Sequence, residues 1–541
     1  MKKTVATILV EHLRKFGVQY SFGIPGKAVV PLILEMEKQD IPFLLARHES
    51  GAGFMASGYA FKNNTLGVAI GTSGPGGTNL LTSAGQALAF HQPVLFITGH
   101  PSMKETGKAM GQDSSYFGTD LVKMFESVTL FSTRVERAEL FEMYFRHALE
   151  KALVGRKGPV HLSIPADILR EEIEEFSLDL PHDYKYISSE LDRAVNLIEQ
   201  AKSPLLFVGK GAHLSECYEE IKDLSLKYNI PIITTPGGKG SIRSDHPTYL
   251  GPFGLGGTEE ASHYLQLGVD LLIVVGTKLS DMTLAGFTSD YYPEQVIQFD
   301  IEPTFVGKSI PIPTLPVIGD AKENLKQILI RGTQNREITS FTHGFDTQIL
   351  EPSSDRYISA VDAVKVLRNE LPNDTMVFGD DGSHSFYAIR HFTILEEGTF
   401  LFDDVFGTMG NAIGYSIGAK LANPNQTVVC LSGDGCTLMH GTEISTAVCH
   451  SIPVIFVIFN NGRLDMVDKG MRYNIGRSTG TVYEAPVDIQ LFAQALGADS
   501  YKCQTLVEIQ EAIAIGLQNS GPTVIEIMVD PEEIPPTLKR G

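Results

Sequence analysis

The chain has 541 residues and a formal net charge of −20, with 43% hydrophobic and 20% charged residues. That length exceeds a single core and calls for about three domains. The acidic balance argues against nucleic acid or an anionic membrane as partner. No apolar run approaches the roughly 18 residues that span a bilayer, and the five cysteines show neither CxxC nor a paired spacing. Reduced thiols in a cytoplasmic protein are therefore expected.

The N-terminus, Met1-Lys2-Lys3-Thr4, is basic, but Glu11, His12, Arg14 and Lys15 break the stretch that follows. It reads as an amphipathic helix and not as a signal peptide. Arg47-His48-Glu49 then precedes the small-residue helix Ser50-Gly51-Ala52-Gly53-Phe54-Met55-Ala56, which can pack closely. An apolar strand at 68–71 runs into the glycine loop Gly71-Thr72-Ser73-Gly74-Pro75-Gly76-Gly77-Thr78-Asn79, and a further strand is expected at 94–99. A polar, acidic stretch at 171–188 reads as a linker. Strands at 205–209, 271–276 and 296–300 follow, and a second linker is expected at 332–356. The three pieces are 1–170, 188–332 and 357–541, each of ordinary domain size.

In the third piece a strand at 375–378 leads to Asp380-Asp381-Gly382-Ser383-His384 at a helix start, where free N–H groups can hold a phosphate. Phe406-Gly407-Thr408-Met409-Gly410 comes next. The apolar run 428–431 ends in Gly433-Asp434-Gly435-Cys436, and the run 454–459 ends in Asn460-Asn461. A last strand is expected at 523–527. Apolar strands alternating with amphipathic helices indicate an α/β class with parallel sheets. Asp434 and Asn461 are one strand-helix-strand crossover apart, so both reach the carboxyl edge of one sheet, where open α/β sheets hold ligands. Their oxygens suit Mg²⁺ or Ca²⁺. A helix-capping Asp at a strand end is the alternative for these residues taken alone.

The first and third pieces echo each other. Gly71-Thr72-Ser73-Gly74-Pro75-Gly76 leads through a helix to Gln92-Pro93-Val94-Leu95-Phe96, and Leu431-Ser432-Gly433-Asp434-Gly435 leads through a helix to Ile452-Pro453-Val454-Ile455-Phe456. Two related domains flanking a central one are expected.

These segments together resemble the thiamine diphosphate (ThDP) enzymes, and most nearly the acetolactate/acetohydroxyacid synthase group. The GDG…NN pair resembles the group's metal and diphosphate signature, RHE-x-GA its N-terminal segment, TSGPGGTN its glycine loop and GTMG its pyrimidine-binding segment. The resemblance implies two related ThDP-binding domains, pyrimidine-binding and diphosphate-binding, around a Rossmann-like middle. It implies that Glu49 bonds N1′ of the aminopyrimidine and favours its 4′-imino form, that Gln112 hydrogen-bonds near C2, and that Gly74 and Asn79 frame the centre. Gly382, Ser383, His384, Gly433, Gly435, Cys436 and Met466 would contact the cofactor, with Gly407 and Met409 at the pyrimidine. Asp434, Asn461 and the Arg463 carbonyl would hold Mg²⁺. The implied reaction is decarboxylation of a 2-keto acid such as pyruvate, then carboligation to a second carbonyl, in a homodimer or homotetramer with sites between subunits.

The chain departs from the group's usual pattern at several places, among them Asp120-Leu121 where the group has Arg-Pro. Gly111 stands where a Phe lines the acceptor pocket, and Met466-Val467 run into Asp468-Lys469-Gly470-Met471 with no Trp, closer to the catabolic acetolactate synthases. An acceptor other than pyruvate, or bulkier, is therefore expected. Gly276-Thr277-Lys278-Leu279-Ser280-Asp281-Met282 lacks the arginines of the anabolic flavin segment, so no functional FAD is expected. A simple 2-keto acid decarboxylase is disfavoured by the absence of tandem histidines near Gln112. A pyruvate oxidase is disfavoured by the flavin segment, and a non-catalytic homologue by the presence of Glu49, Asp434 and Asn461.

Overall fold

Three six-stranded sheets carry the chain, and within each of them every paired strand is parallel. The computed structural model describes residues 1–63, 65–339, 341 and 357–537. The expected second linker thus lies largely outside the described residues.

The first sheet contains Ser21–Gly23, Phe43–Leu45, Gly67–Gly71, Val94–His100, Phe131–Arg134 and Val160–Pro165. The third contains Met376–Gly379, Phe400–Phe402, Val428–Gly433, Val454–Asn460, Asp499–Cys503 and Thr523–Met528. Counted in chain order, the strands of both sheets lie in the spatial order 2-1-3-4-6-5. The echo seen in sequence is thus matched by shared topology. The glycine loop after Gly71 and the loop after Gly433 occupy equivalent positions in the two sheets. The middle sheet, Pro204–Val208, Ile232–Thr234, Tyr249–Pro252, Leu271–Val275, Gln295–Asp300 and Thr314–Ile318, has the order 3-2-1-4-5-6. That is the dinucleotide-fold order.

The strands are short apolar runs buried on both faces, as parallel sheets under helices require. The N-terminal segment forms the helix Val5–Lys15, capped by Thr4. The stretch expected as a first linker is in part structured. Its Glu172–Glu174 pairs antiparallel with Lys2–Thr4, and Phe176 packs on His12. Acidic side chains concealed this strand because it lies at the surface and is only three residues long.

The first and third domains share a core. Helix Glu49–Asn63 lies against helix Asn411–Ala422, and Phe54, Met55 and Tyr59 join Tyr415 and Ile417 in one apolar cluster. Their backbones touch: a Cβ on Gly58 would overlap the Tyr415 carbonyl, and one on Gly418 the Met55 carbonyl. Among the described residues no helix is long and apolar enough to cross a membrane.

Candidate active site

Strands Val428–Gly433 and Val454–Asn460 are hydrogen-bonded neighbours in parallel register, with Gly433 opposite Phe459. Their carboxyl ends therefore deliver Asp434 and Asn461 to one edge. The crossover between them is not one helix. It is Asp434–His440, a 3₁₀ turn at Gly441–Glu443, and Ile444–Cys449. The break turns Glu443 inward, where its Oε1 accepts the backbone N–H groups of Arg47 and His48, each at 2.9 Å. This buried carboxylate ties the third domain to the residues just before Glu49. No sequence motif pointed to Glu443.

A cavity of about 120 Å³ opens at this edge. Gly382, Ser383, His384, Met409, Gly433, Asp434, Gly435, Cys436, Asn461, Arg463 and Met466 all line it. Each of them is a residue singled out from sequence. Several buried polar atoms around it lack a hydrogen-bond partner, namely Asp434 Oδ2, Ser383 Oγ, His384 Nε2 and Asp381 Oδ1. Buried polar atoms are rarely left so, and here they mark a place built for a ligand. Burial pushes Asp434 up to about 7 and Asp381 up to about 6, and holds His384 down at about 3. A bound cation would favour the ionised Asp434 against that burial. Among the described residues no group of three or more His, Cys, Asp or Glu forms a metal cluster. A cation here would be held by fewer than three such groups, with amide and carbonyl oxygens completing the set, a mixture that suits Mg²⁺.

Two residues that stand inside the quoted motifs, but to which the sequence assigned no role, shape the cavity's loops. Asp380 is buried and accepts from Gly410 N (2.7 Å), Asp381 N (3.0 Å) and Ser432 Oγ (3.0 Å), so one carboxylate joins three loops. Asn460 accepts from Gly462 N at 3.1 Å and donates to the buried Glu526 at 2.6 Å, fixing the turn that carries Asn461 and Arg463.

The first-domain candidates form a separate cluster. Asn79 Nδ2 donates to Glu49 Oε2 at 2.9 Å. Gly74 packs against Gln112, whose Cβ lies 3.4 Å from where a Gly74 Cβ would stand. Gly74 N donates to Ser114 Oγ at 3.0 Å, which holds the two loops together. Neither Glu49, Gly74, Asn79 nor Gln112 lines the cavity of the third domain, and Gly407 lies outside its lining as well.

A second cavity of about 320 Å³ sits at the middle sheet's switch point, between the loops after Val208 and Val275. Lys210, Lys278, Arg156 and Lys185 line it, as does the Gly276-Thr277-Lys278 segment. Burial, Lys210 and Arg156 lower the pKa of Lys278.

Three family models match the chain. They are the thiamine pyrophosphate enzyme N-terminal TPP binding domain over 3–122, the central domain over 191–328, and the C-terminal TPP binding domain over 380–527. A probable acetolactate synthase large subunit of Methanocaldococcus jannaschii is 30% identical over 99% of this chain and 93% of its own. The acetolactate synthase isozyme 2 large subunit of Escherichia coli K12 is 29% identical over 96% of this chain and 95% of its own. A solved structure of a putative thiamin diphosphate-dependent enzyme from Mycobacterium smegmatis superposes with a TM-score of 0.86. It covers 97% of this chain and 99% of that one at 22% identity, a likeness of fold.

Proposed function

We propose, starting from the fact that this chain belongs to the thiamine pyrophosphate enzymes and among them to the acetolactate synthase group, that it decarboxylates a pyruvate-like 2-keto acid and joins the remaining unit to a carbonyl acceptor other than, or bulkier than, pyruvate. The observation that carries the cofactor site is the set of unpartnered buried atoms, Asp434 Oδ2, Ser383 Oγ and His384 Nε2, around one cavity at neighbouring strand ends.

When bound, ThDP supplies the carbon nucleophile and the electron sink for decarboxylation. Asp434, Asn461 and the Arg463 carbonyl would hold the Mg²⁺ that neutralises its diphosphate. The N-terminus of helix Ser383–His391, with Ser383 and His384, would take phosphate oxygens. Glu49 would hold a proton on the pyrimidine, an acid–base task, and Asn79 orients its carboxylate. Gln112 would hydrogen-bond the reacting group, and the Gly74 loop would shield it from water.

Because the Glu49 cluster lies outside the cavity that holds Asp434, a second copy of the chain is the natural source of the missing half. The exposed apolar residues Val405, Phe406, Leu438, Met439 and Val467 flank the cavity's segments and support such an interface. These observations support at least a homodimer as the working form.

The acceptor reading rests on the two missing aromatics, with Gly111 and Gly470 standing where the group's pattern has Phe and Trp. A Cβ at Gly111 or at Gly470 would meet nothing within 4 Å. No flavin is assigned a step. The cations of the second cavity suit an anionic group, but the arginine-bearing segment is absent. An absorbance band near 450 nm in the purified protein would overturn that assignment.

The reaction is tested by incubating purified protein with pyruvate, ThDP and Mg²⁺, with and without a second 2-keto acid or aldehyde. A carboligation product that requires the added acceptor is expected. Acetaldehyde alone would make the chain a simple decarboxylase. Acetolactate from pyruvate alone at full rate would remove the case for a different acceptor.

A further inference from the structure

Asp403 directly follows strand Phe400–Phe402 where all three domains meet, and it is 2% exposed. Its carboxylate accepts three consecutive backbone N–H groups, from Val405 at 3.0 Å, Phe406 at 3.3 Å and Gly407 at 3.0 Å. From the first domain, Gln86 Nε2 donates to it at 2.7 Å. From the middle domain, Lys210 Nζ lies 3.9 Å from Asp403 Oδ1 and 3.7 Å from Asp404 Oδ1. Lys210 is itself held over the Phe90 ring at 4.0 Å.

This arrangement sets the path of one loop. Gly407 has a φ of +72°, a conformation a side chain would strain. The Phe406 ring presses on Gly85, where even a Cβ would come within 2.6 Å of it. The loop then delivers Thr408 and Met409, and the Met409 methyl carbon stands 3.2 Å from the Cβ position of Gly435, beside Asp434. One carboxylate, gripped from two other domains, thereby determines where the segment before Met409 runs.

We propose that Asp403 is a positioning residue for the pyrimidine half of the cofactor, acting through the Phe406-Gly407 backbone and Met409, with Gln86 and Lys210 holding it from the other domains. The inference rests on the ThDP reading above. It separates two jobs. Asp434, Asn461 and Ser383 anchor the diphosphate from other loops, so the loss of Asp403 should disturb orientation far more than affinity.

The experiment compares the wild-type chain with Asp403→Asn, which keeps the volume but loses the charge and one acceptor oxygen. Hydrogen–deuterium exchange is read at 405–409 without cofactor, ThDP affinity by calorimetry with Mg²⁺, and kcat at saturating ThDP. Exchange at 405–407 is expected to rise about tenfold, the worth of one buried hydrogen bond. The Kd for ThDP should stay within about threefold, because the diphosphate anchor is untouched. The kcat should fall about 10- to 100-fold, the scale of a misplacement near 1 Å. Exchange and kcat both within about twofold of wild type would overturn the proposal, since a lost buried bond cannot be that small. A Kd raised more than about tenfold with kcat retained would also overturn it, by making Asp403 an anchor. If Asp403→Asn does not fold, Gln86→Leu removes the first-domain donor alone and decides on the same readouts. If the wild-type chain does not bind ThDP at all, the cofactor reading fails, and this inference with it.

Discussion

The side-chain amide of Asn79 donates to Glu49 Oε2 at 2.9 Å, joining the glycine loop to the mouth of helix Glu49–Asn63. Both residues belong to the first domain, and neither touches the cavity that holds Asp434. The proposed acid–base group and the proposed phosphate anchor are thus built on separate scaffolds and should fail in separate ways.

Glu49→Gln keeps the hydrogen-bonding shape and loses the charge. Its kcat should fall by about 10²–10⁴ with ThDP affinity largely kept. Calorimetry and steady-state kinetics on one preparation check both halves. Wild-type exchange of the cofactor's C2 proton in this variant would contradict the role.

Asp434→Ala removes the only carboxylate among the three proposed metal ligands. ThDP and Mg²⁺ should be retained poorly on gel filtration, and activity should return partly at high Mg²⁺. Cofactor retention equal to wild type would show that the cation is held elsewhere.

Glu443→Ala leaves the half-buried Arg47 and His48 N–H groups without their 2.9 Å acceptor. A cost of about 1–3 kcal/mol per unpaired group is expected. It should appear as a lowered Tm together with a reduced kcat, because the lost contact sits just before Glu49. Gly418→Ala probes the same domain contact through sterics. A Cβ there overlaps the Met55 carbonyl, and overpacking of about 1–3 kcal/mol should lower Tm as well. An unchanged Tm in either variant would mean that the two domains do not depend on this contact.

His161 is fully buried between the hydroxyls of Thr98 and Ser132, each 2.8 Å away, and stacks on Phe125. Burial holds its pKa down at about 3. In the unfolded chain the ring takes a proton near its ordinary value of about 6.5. Between these two values the unfolded state binds the extra proton, so stability is lost as pH falls. The slope should reach about 1.4 kcal/mol per pH unit for this one group. His161→Asn should flatten the stability profile between pH 6 and 4 by about that amount. Unfolding midpoints at several pH values measure the difference.

Gly111→Phe should fill the space that is open beside Gln112. Turnover with bulky acceptors should drop by about 10-fold or more relative to small ones, the scale of a blocked apolar pocket. Product ratios from competing acceptors give the answer. An unchanged ratio would remove Gly111 from the acceptor pocket.

Local pattern carried much of this protein. Apolar runs ending in Gly, Asp or Asn foretold strands such as Val428–Gly433 and Val454–Asn460, because a strand buried on both faces must be almost wholly apolar. Their polar ends then had to meet at one sheet edge, which is why Asp434 and Asn461 were legible before any coordinates. Motifs also located every residue named above as lining the third-domain cavity, since each sits at a strand end or helix start that its neighbours announce.

Asp403, Glu443 and Gln86 were silent. Each is a lone polar residue whose partners are backbone groups or side chains far along the chain, as Gln86 and Asp403 show across 317 positions. No periodicity encodes such a contact. The sequence by itself determined the strand-loop-helix units, their parallel class and the chemistry at their tips, all of which depend on neighbours a few residues away. Only the tertiary structure decided which buried polar atoms around Asp434 are left without a partner and that three domains converge on Asp403. Those outcomes depend on how whole buried faces pack, with glycine permitting helix 49–63 to lie on helix 411–422 backbone to backbone.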